Sequence, residues 1–198
     1  MKVFVRSAIL LTAAALVPLM PTAAHADRYT HIDAVGDVLS GPATSTSNPS
    51  TPEPERANGD ITASKVIHKA RKVIMRMKYR DIAWNDEVNA HLFVVRTSKM
   101  KRYVQLVAGD GFRGGKVVVT KPNGNRVKCR VKRNIDYTVN TATVKVPRSC
   151  LGYPRWVKVG MASVFYTGFK AADTLYVDDA RTNGTLGSGP ALSPKVRR

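Results

Sequence analysis

Asp33, Asp37, Asp60, Asp178 and Asp179 are the residues whose type and placement could do chemistry together. Each flanks the end of an expected β-strand. Hard cations take several oxygen ligands, and carboxylates carried on loops at one end of a sheet pair can converge on one ion. The five are therefore a candidate calcium site. Aspartates also cap turns and solvate strand ends, and the positive charge of the chain opposes a cation unless these acids cluster. No catalytic constellation stands beside them. His31, His68 and His91 show no metal-ligand spacing such as HExxH, and no G-x-S-x-G elbow occurs. No catalytic residue is assigned.

Basic residues are the second candidate. Lys72, Arg76, Lys78 and Arg80 alternate with Val73, Met75, Met77 and Tyr79, and Arg126, Lys128, Arg130 and Lys132 alternate with Val127, Cys129 and Val131. Alternation of this kind is the period of a half-buried strand, apolar side inward and cationic side outward. If the two strands share a sheet, their outer wall attracts polyanions and speeds encounter with them. A solvated face that only keeps the protein soluble would show the same pattern. Trp84, Trp156, Tyr153 and Tyr166 could stack on sugars if their rings were exposed and coplanar, although packing in a core is the commoner fate of such rings.

The elements that must position these residues are read as strands. Residues 61–79 fit a basic amphipathic helix on paper. A hairpin is the preferred reading, because β-branched residues are frequent, a clean N-cap is missing and everything downstream reads as strand. His91 to Arg96 is apolar on both faces, as in a central strand. Strands follow at 102–108 and 116–120, and Pro122-Asn123-Gly124 is a turn signal. Two cysteine-flanked strands come next, then 155–166 and a short strand at 175–177. Short strands separated by Gly, Asn and Pro suggest a two-sheet sandwich or a barrel, and an all-β, antiparallel two-sheet sandwich is the expectation. The D-x-x-x-D opening at Asp33 and Asp37 and the Gly59-Asp60-Ile61 opening are similar to those of jelly-roll ligand-binding modules, which implies a jelly-roll-like form.

The domain, 59–180, is preceded by a leader and a linker. Lys2 and Arg6, an apolar run from Ala8 to Met20, and Ala24-His25-Ala26 have the form of a cleavable signal peptide over residues 1–26, so the mature chain is expected to begin at Asp27. No other segment is apolar enough to cross a membrane. Without Lys2 and Arg6, 30 basic residues face 14 acidic ones, a net charge of +16. In an exported chain Cys129 and Cys150 most simply form one disulfide, which would close a loop of 22 residues. Residues 27–58, rich in Pro, Ser and Thr, read as a disordered linker with an edge strand near 31–38. Residues 181–198 read as a flexible basic tail.

The pieces Asp33-Ala34-Val35-Gly36-Asp37-Val38, Gly59-Asp60-Ile61, Val146-Pro147-Arg148-Ser149-Cys150-Leu151-Gly152, Pro154-Arg155-Trp156-Val157 and Asp178-Asp179-Ala180 occur here in one order. Taken together they resemble a group of secreted actinobacterial proteins to which no activity is assigned. The resemblance spans most of the mature chain and implies a β-sandwich export product. It carries over no catalytic residue.

The leading expectation is a secreted, non-catalytic binding module at the cell envelope or outside the cell. Its partner would be an anionic polysaccharide, a teichoic-acid-like polymer or an anionic lipid surface. It would use no cofactor, unless calcium fills the aspartate site. A secreted hydrolase with an unrecognised site, and a structural or protein-partner module, are the alternatives. Sequence-specific nucleic-acid binding is not expected, because no recognition motif is present.

Overall fold

Alternation over 61–79 resolves as a hairpin. Ile61–His68 (β4) and Lys72–Tyr79 (β5) pair antiparallel, with Val66, Val73, Met75, Met77 and Tyr79 buried. The structure, a computed structural model, describes residues 27–44, 48–83, 87–168 and 173–198. The expected signal peptide and Trp84 lie outside the described residues.

Around this hairpin two sheets are built, and every strand ladder in them is antiparallel. The remaining strands are Arg28–Ile32 (β1), Leu39–Pro42 (β2), Thr51–Pro52 (β3), Val88–Arg96 (β6), Lys101–Ala108 (β7), Lys116–Thr120 (β8), Lys132–Asp136 (β9), Thr141–Pro147 (β10), Trp156–Tyr166 (β11), Thr174–Asp179 (β12) and Val196–Arg197 (β13). The smaller sheet runs β1-β4-β5-β10-β9. The larger runs β3-β2-β12-β11-β6-β7-β8, with β13 paired to β11. Inward residues of both sheets, among them Met75, Val144, Phe93, Leu106 and Val159, form one buried cluster. The expected two-sheet antiparallel sandwich is thus the fold, and Cys129–Cys150 is its disulfide.

Three expectations are corrected. First, residues 127–131 are not a strand. Val127, Cys129 and Val131 do pack half-buried on the core, and Arg126 to Lys132 alternate outward. Beyond an isolated bridge of Arg126 to Thr120 and a 2.8 Å bond from the Val127 amide to Val119 O, however, the next ladder begins at Lys132. The segment crosses from β8, the edge of the larger sheet, to β9, the edge of the smaller one. An extended chain lying on a core alternates whether or not it has a neighbour to pair with.

Second, the linker at 27–58 is largely built into the sandwich. β1 adds to β4, and β2 adds to β12. Main-chain pairing with preformed edges orders a segment whose few apolar residues include Val38 and Leu39, both buried. The edge strand also starts earlier than expected, at Arg28, and 33–38 is a turn that ends in buried Val38.

Third, the tail at 181–198 is docked. The Ser193 amide donates to Val159 O at 2.8 Å, and the Val159 amide donates to Ser193 Oγ at 3.0 Å. Val196 is buried, and its carbonyl accepts from His68 Nδ1.

His91 is buried on β6, where its Nδ1 shares a 2.7 Å hydrogen bond with the Tyr79 hydroxyl. Burial pushes the imidazole down to about 3. A group that is neutral in the fold and titrates near 6.5 when unfolded contributes its full stability above 6.5. That contribution drains away by about 1.4 kcal/mol per pH unit as pH falls toward 3. The His91 imidazole resonances are expected to stay fixed between pH 8 and 5. A titration midpoint near 6 in an NMR series would refute this burial.

Candidate functional site

Three chain segments meet at the end of the sandwich where β4 begins. The turn after β1 brings Asp33 and Asp37, the bend before β4 brings Asp60, and the end of β12 brings Asp178 and Asp179. Local geometry sets them there. Gly59 holds a positive φ of 94° and lies against the Phe165 ring, with its carbonyl accepting from Ser163 Oγ at 2.6 Å. Ser163 is paired with Asp178 across β11 and β12. Asp60 and Asp178 are 0% and 1% exposed, and Asp33 and Asp179 are also buried. One carboxylate oxygen from each of Asp37, Asp60 and Asp178 lies within 4.8 Å of the other two.

Four of these carboxylates share a pattern. Each spends Oδ2 on a backbone amide: Gly184 donates to Asp37 (3.1 Å), Gly36 to Asp60 (2.9 Å), Ile61 to Asp178 (2.6 Å) and Ala191 to Asp179 (2.8 Å). Each leaves a buried Oδ1 with no donor among the described residues. Among the described residues one cation stands within ion-pair distance of the five, Arg80, with Nη1 3.3 Å from Asp60 Oδ2.

The electrostatic consequence is large. Burial, and then repulsion from Asp37, pushes Asp33 up to about 8. Burial, and then repulsion from Asp37, Asp33 and Asp60, pushes Asp178 up to about 9. Asp37, Asp60 and Asp179 are also raised, in each case chiefly by burial. Like charges gathered in a low-dielectric site disfavour joint ionisation.

The outer wall of the smaller sheet has the opposite sign. Cross-strand partners share a face, so the ladder rows can be read directly. One row is Arg28, Ile67, Ile74, Lys145 and Lys132. The next is Thr30, Lys65, Arg76, Thr143 and Asn134. A third is Ile32, Ala63, Lys78, Thr141 and Asp136, and Lys72 opposite Pro147 extends the face. Seven cations thus stand on one wall with a single acid, Asp136, at its corner. Among the described residues no ion pair neutralises any of the seven.

Of the eight basic residues singled out in the sequence, Lys72, Arg76, Lys78 and Lys132 meet on this wall. Arg126, Lys128 and Arg130 are exposed on the connector that crosses between the sheets. Arg80 turns to the carboxylate cluster, where its guanidinium also donates to Pro54 O and Glu55 O. Arg28, Lys65 and Lys145 were missed. Only their cross-strand partners mark them, and strand order is not written in local periodicity. A cleft of about 350 Å³ lined by Arg148, Arg155, Trp156, Arg197 and Arg198 was missed too, because its residues come from distant parts of the chain.

The three histidines lie in separate surroundings. His31 stacks on Tyr29 in β1, His68 meets the C-terminal strand, and His91 meets Tyr79. Trp156 and Tyr166 stand at opposite ends of β11, and Lys195 covers the Trp156 ring. Tyr153 is exposed on a turn beside Trp156.

Fold and sites together define an all-β, disulfide-closed sandwich with a buried carboxylate cluster at one end and a cationic wall on the smaller sheet. No family model matches the chain, and no curated protein or solved structure is significantly similar to it.

Proposed function

We propose that this protein is an exported, non-catalytic binding module that holds an anionic polymer of the cell envelope or its surroundings against the outer wall of the smaller sheet. The observation that carries this reading is the gathering of Arg28, Lys65, Lys72, Arg76, Lys78, Lys132 and Lys145 on one face with no ion-pair partner among the described residues. Cations projecting from neighbouring strands of one sheet present a charge array. A flexible polyanion can lie across such an array and release the counterions of both surfaces. Arg148, which directly follows Pro147, the partner of Lys72, lines a further cleft with Arg155, Trp156, Arg197 and Arg198. A net charge of +18 over the whole sequence supports long-range attraction of the same partners.

The test is retention on an immobilised phosphate-rich polymer, with a teichoic acid as the matrix. Affinity is expected to fall at least about tenfold between 50 and 200 mM salt, as counterion release across several contacts requires. The triple variant Arg76→Glu, Lys78→Glu, Lys145→Glu is expected to lose binding by a further factor of about ten or more. Its fold should persist, because all three side chains are exposed. Retention indifferent to salt, or a variant that binds like the parent, would remove the reading.

A further inference from the structure

We propose that Asp37, Asp60 and Asp178, flanked by Asp33 and Asp179, bind one calcium ion that clamps the N-terminal segment to the end of the sandwich. The site does not depend on the cationic wall, which faces outward from a different surface.

Two independent observations carry it. The first is convergence: three carboxylates from three chain segments present oxygens within 4.8 Å of one another, a spacing suited to a shared ion. The second is the set of oxygens left over. Asp60 and Asp178 are essentially without exposure, yet each has an Oδ1 that no donor among the described residues reaches, as do Asp37 and Asp179. A buried carboxylate oxygen without a partner costs free energy in an apolar setting. The backbone amides have already taken the Oδ2 atoms, so the unused ones need an acceptor-seeking group, and a metal ion is one.

Charge count points the same way. Five carboxylates share this end with one guanidinium in ion-pair contact, that of Arg80. A divalent ion supplies the missing positive charge in the smallest volume. The donors named are all oxygens, with neither histidine nor cysteine among them. That favours a hard cation over zinc or copper. Calcium accepts six to eight oxygens in irregular geometry, whereas magnesium demands a near-ideal octahedron and gives up water reluctantly. A buried cluster assembled from a turn, a bend and a strand end suits the more tolerant ion. The consequence is mechanical: the ion would tie the 33–37 turn to the start of β4 and the end of β12, closing an end of the sandwich that otherwise repels itself.

The test uses the full mature chain, stripped with chelator and then titrated with calcium chloride. Calorimetry is expected to show one site per chain. Calcium at about a hundred times its dissociation constant should raise Tm by about 5–10 °C, and magnesium at the same concentration should give a much smaller shift. Asp178→Asn and Asp60→Asn should abolish the calcium-dependent rise. Their Tm in chelator should equal or exceed that of the parent, because the amide is an uncharged isostere and leaves no ionisable group to bury. Asp37→Asn, at the more exposed rim, keeps the test decisive if a buried variant misfolds; it should weaken calcium binding at least tenfold. No Tm shift up to about 5 mM calcium, above the range of weak extracellular calcium modules, would overturn the proposal. So would an undiminished shift in the variants that fold, or an equal response to magnesium.

Discussion

Phe165→Ala is expected to lower stability by about 3–5 kcal/mol, the usual cost of truncating a fully buried aromatic ring. Phe165 has no exposure, and its ring meets Tyr79 at 6.4 Å and His91 at 6.0 Å between centroids. Both neighbours come from other strands, so the cavity would open between the two sheets and could not collapse by moving one loop. The ring also lies under Gly59, where even an added Cβ would meet it at 3.0 Å. Loss of the ring would therefore loosen the bend that delivers Asp60 as well. Urea unfolding should show a lower midpoint with little change in slope. A loss under about 1 kcal/mol would mean that the surroundings close over the gap.

Replacing both cysteines, as Cys129→Ala with Cys150→Ala, should cost about 3 kcal/mol by loop-closure entropy, the two positions being 21 apart in sequence. The loop contains the last part of the inter-sheet connector, β9 and β10, so the bond restrains one whole side of the smaller sheet. For a domain of this size the loss corresponds to a fall in Tm of about 6–12 °C. Reduction of the parent should reproduce it. A difference below about 1 kcal/mol would show that Val127, Val131 and the β9–β10 ladder already fix the connector.

The two faces of opposite sign have different physical roles. The cationic wall is exposed and unpaired, so its charges act outward and weaken with salt. The carboxylate cluster is buried, so its charges act on one another and are screened little. Burial explains how a chain of high positive charge still assembles an acidic site. The cluster is enclosed at the end of the sandwich, and among the described residues Arg80, two positions beyond Lys78 of the wall, is the cation paired with it, through Asp60.

Much of the architecture was legible locally. Period-two alternation placed β5 and its inward Val73, Met75, Met77 and Tyr79, because a strand that covers a core must alternate. Two cysteines in a chain of this composition pointed to one bond. The alternation of Val127, Cys129 and Val131 was read correctly for burial and wrongly for pairing. Burial is recorded in each residue, whereas a ladder needs a neighbour that another part of the chain supplies. The same limit hid the order of 27–58 and of the C-terminal segment. Their polar composition offers no core of its own, and strands elsewhere in the chain do the ordering, β4 and β12 for the first and β11 for the second.

Composition and spacing by themselves determined the all-β class, the disulfide, the charge and the five aspartates singled out at strand ends. Tertiary structure alone decided which cations share a wall, that Arg80 leaves it, and that carboxylates from opposite ends of the chain share one buried pocket. The physical reason is that side-chain period is a property of one strand, while proximity between strands follows from hydrogen-bond pairing across the whole chain.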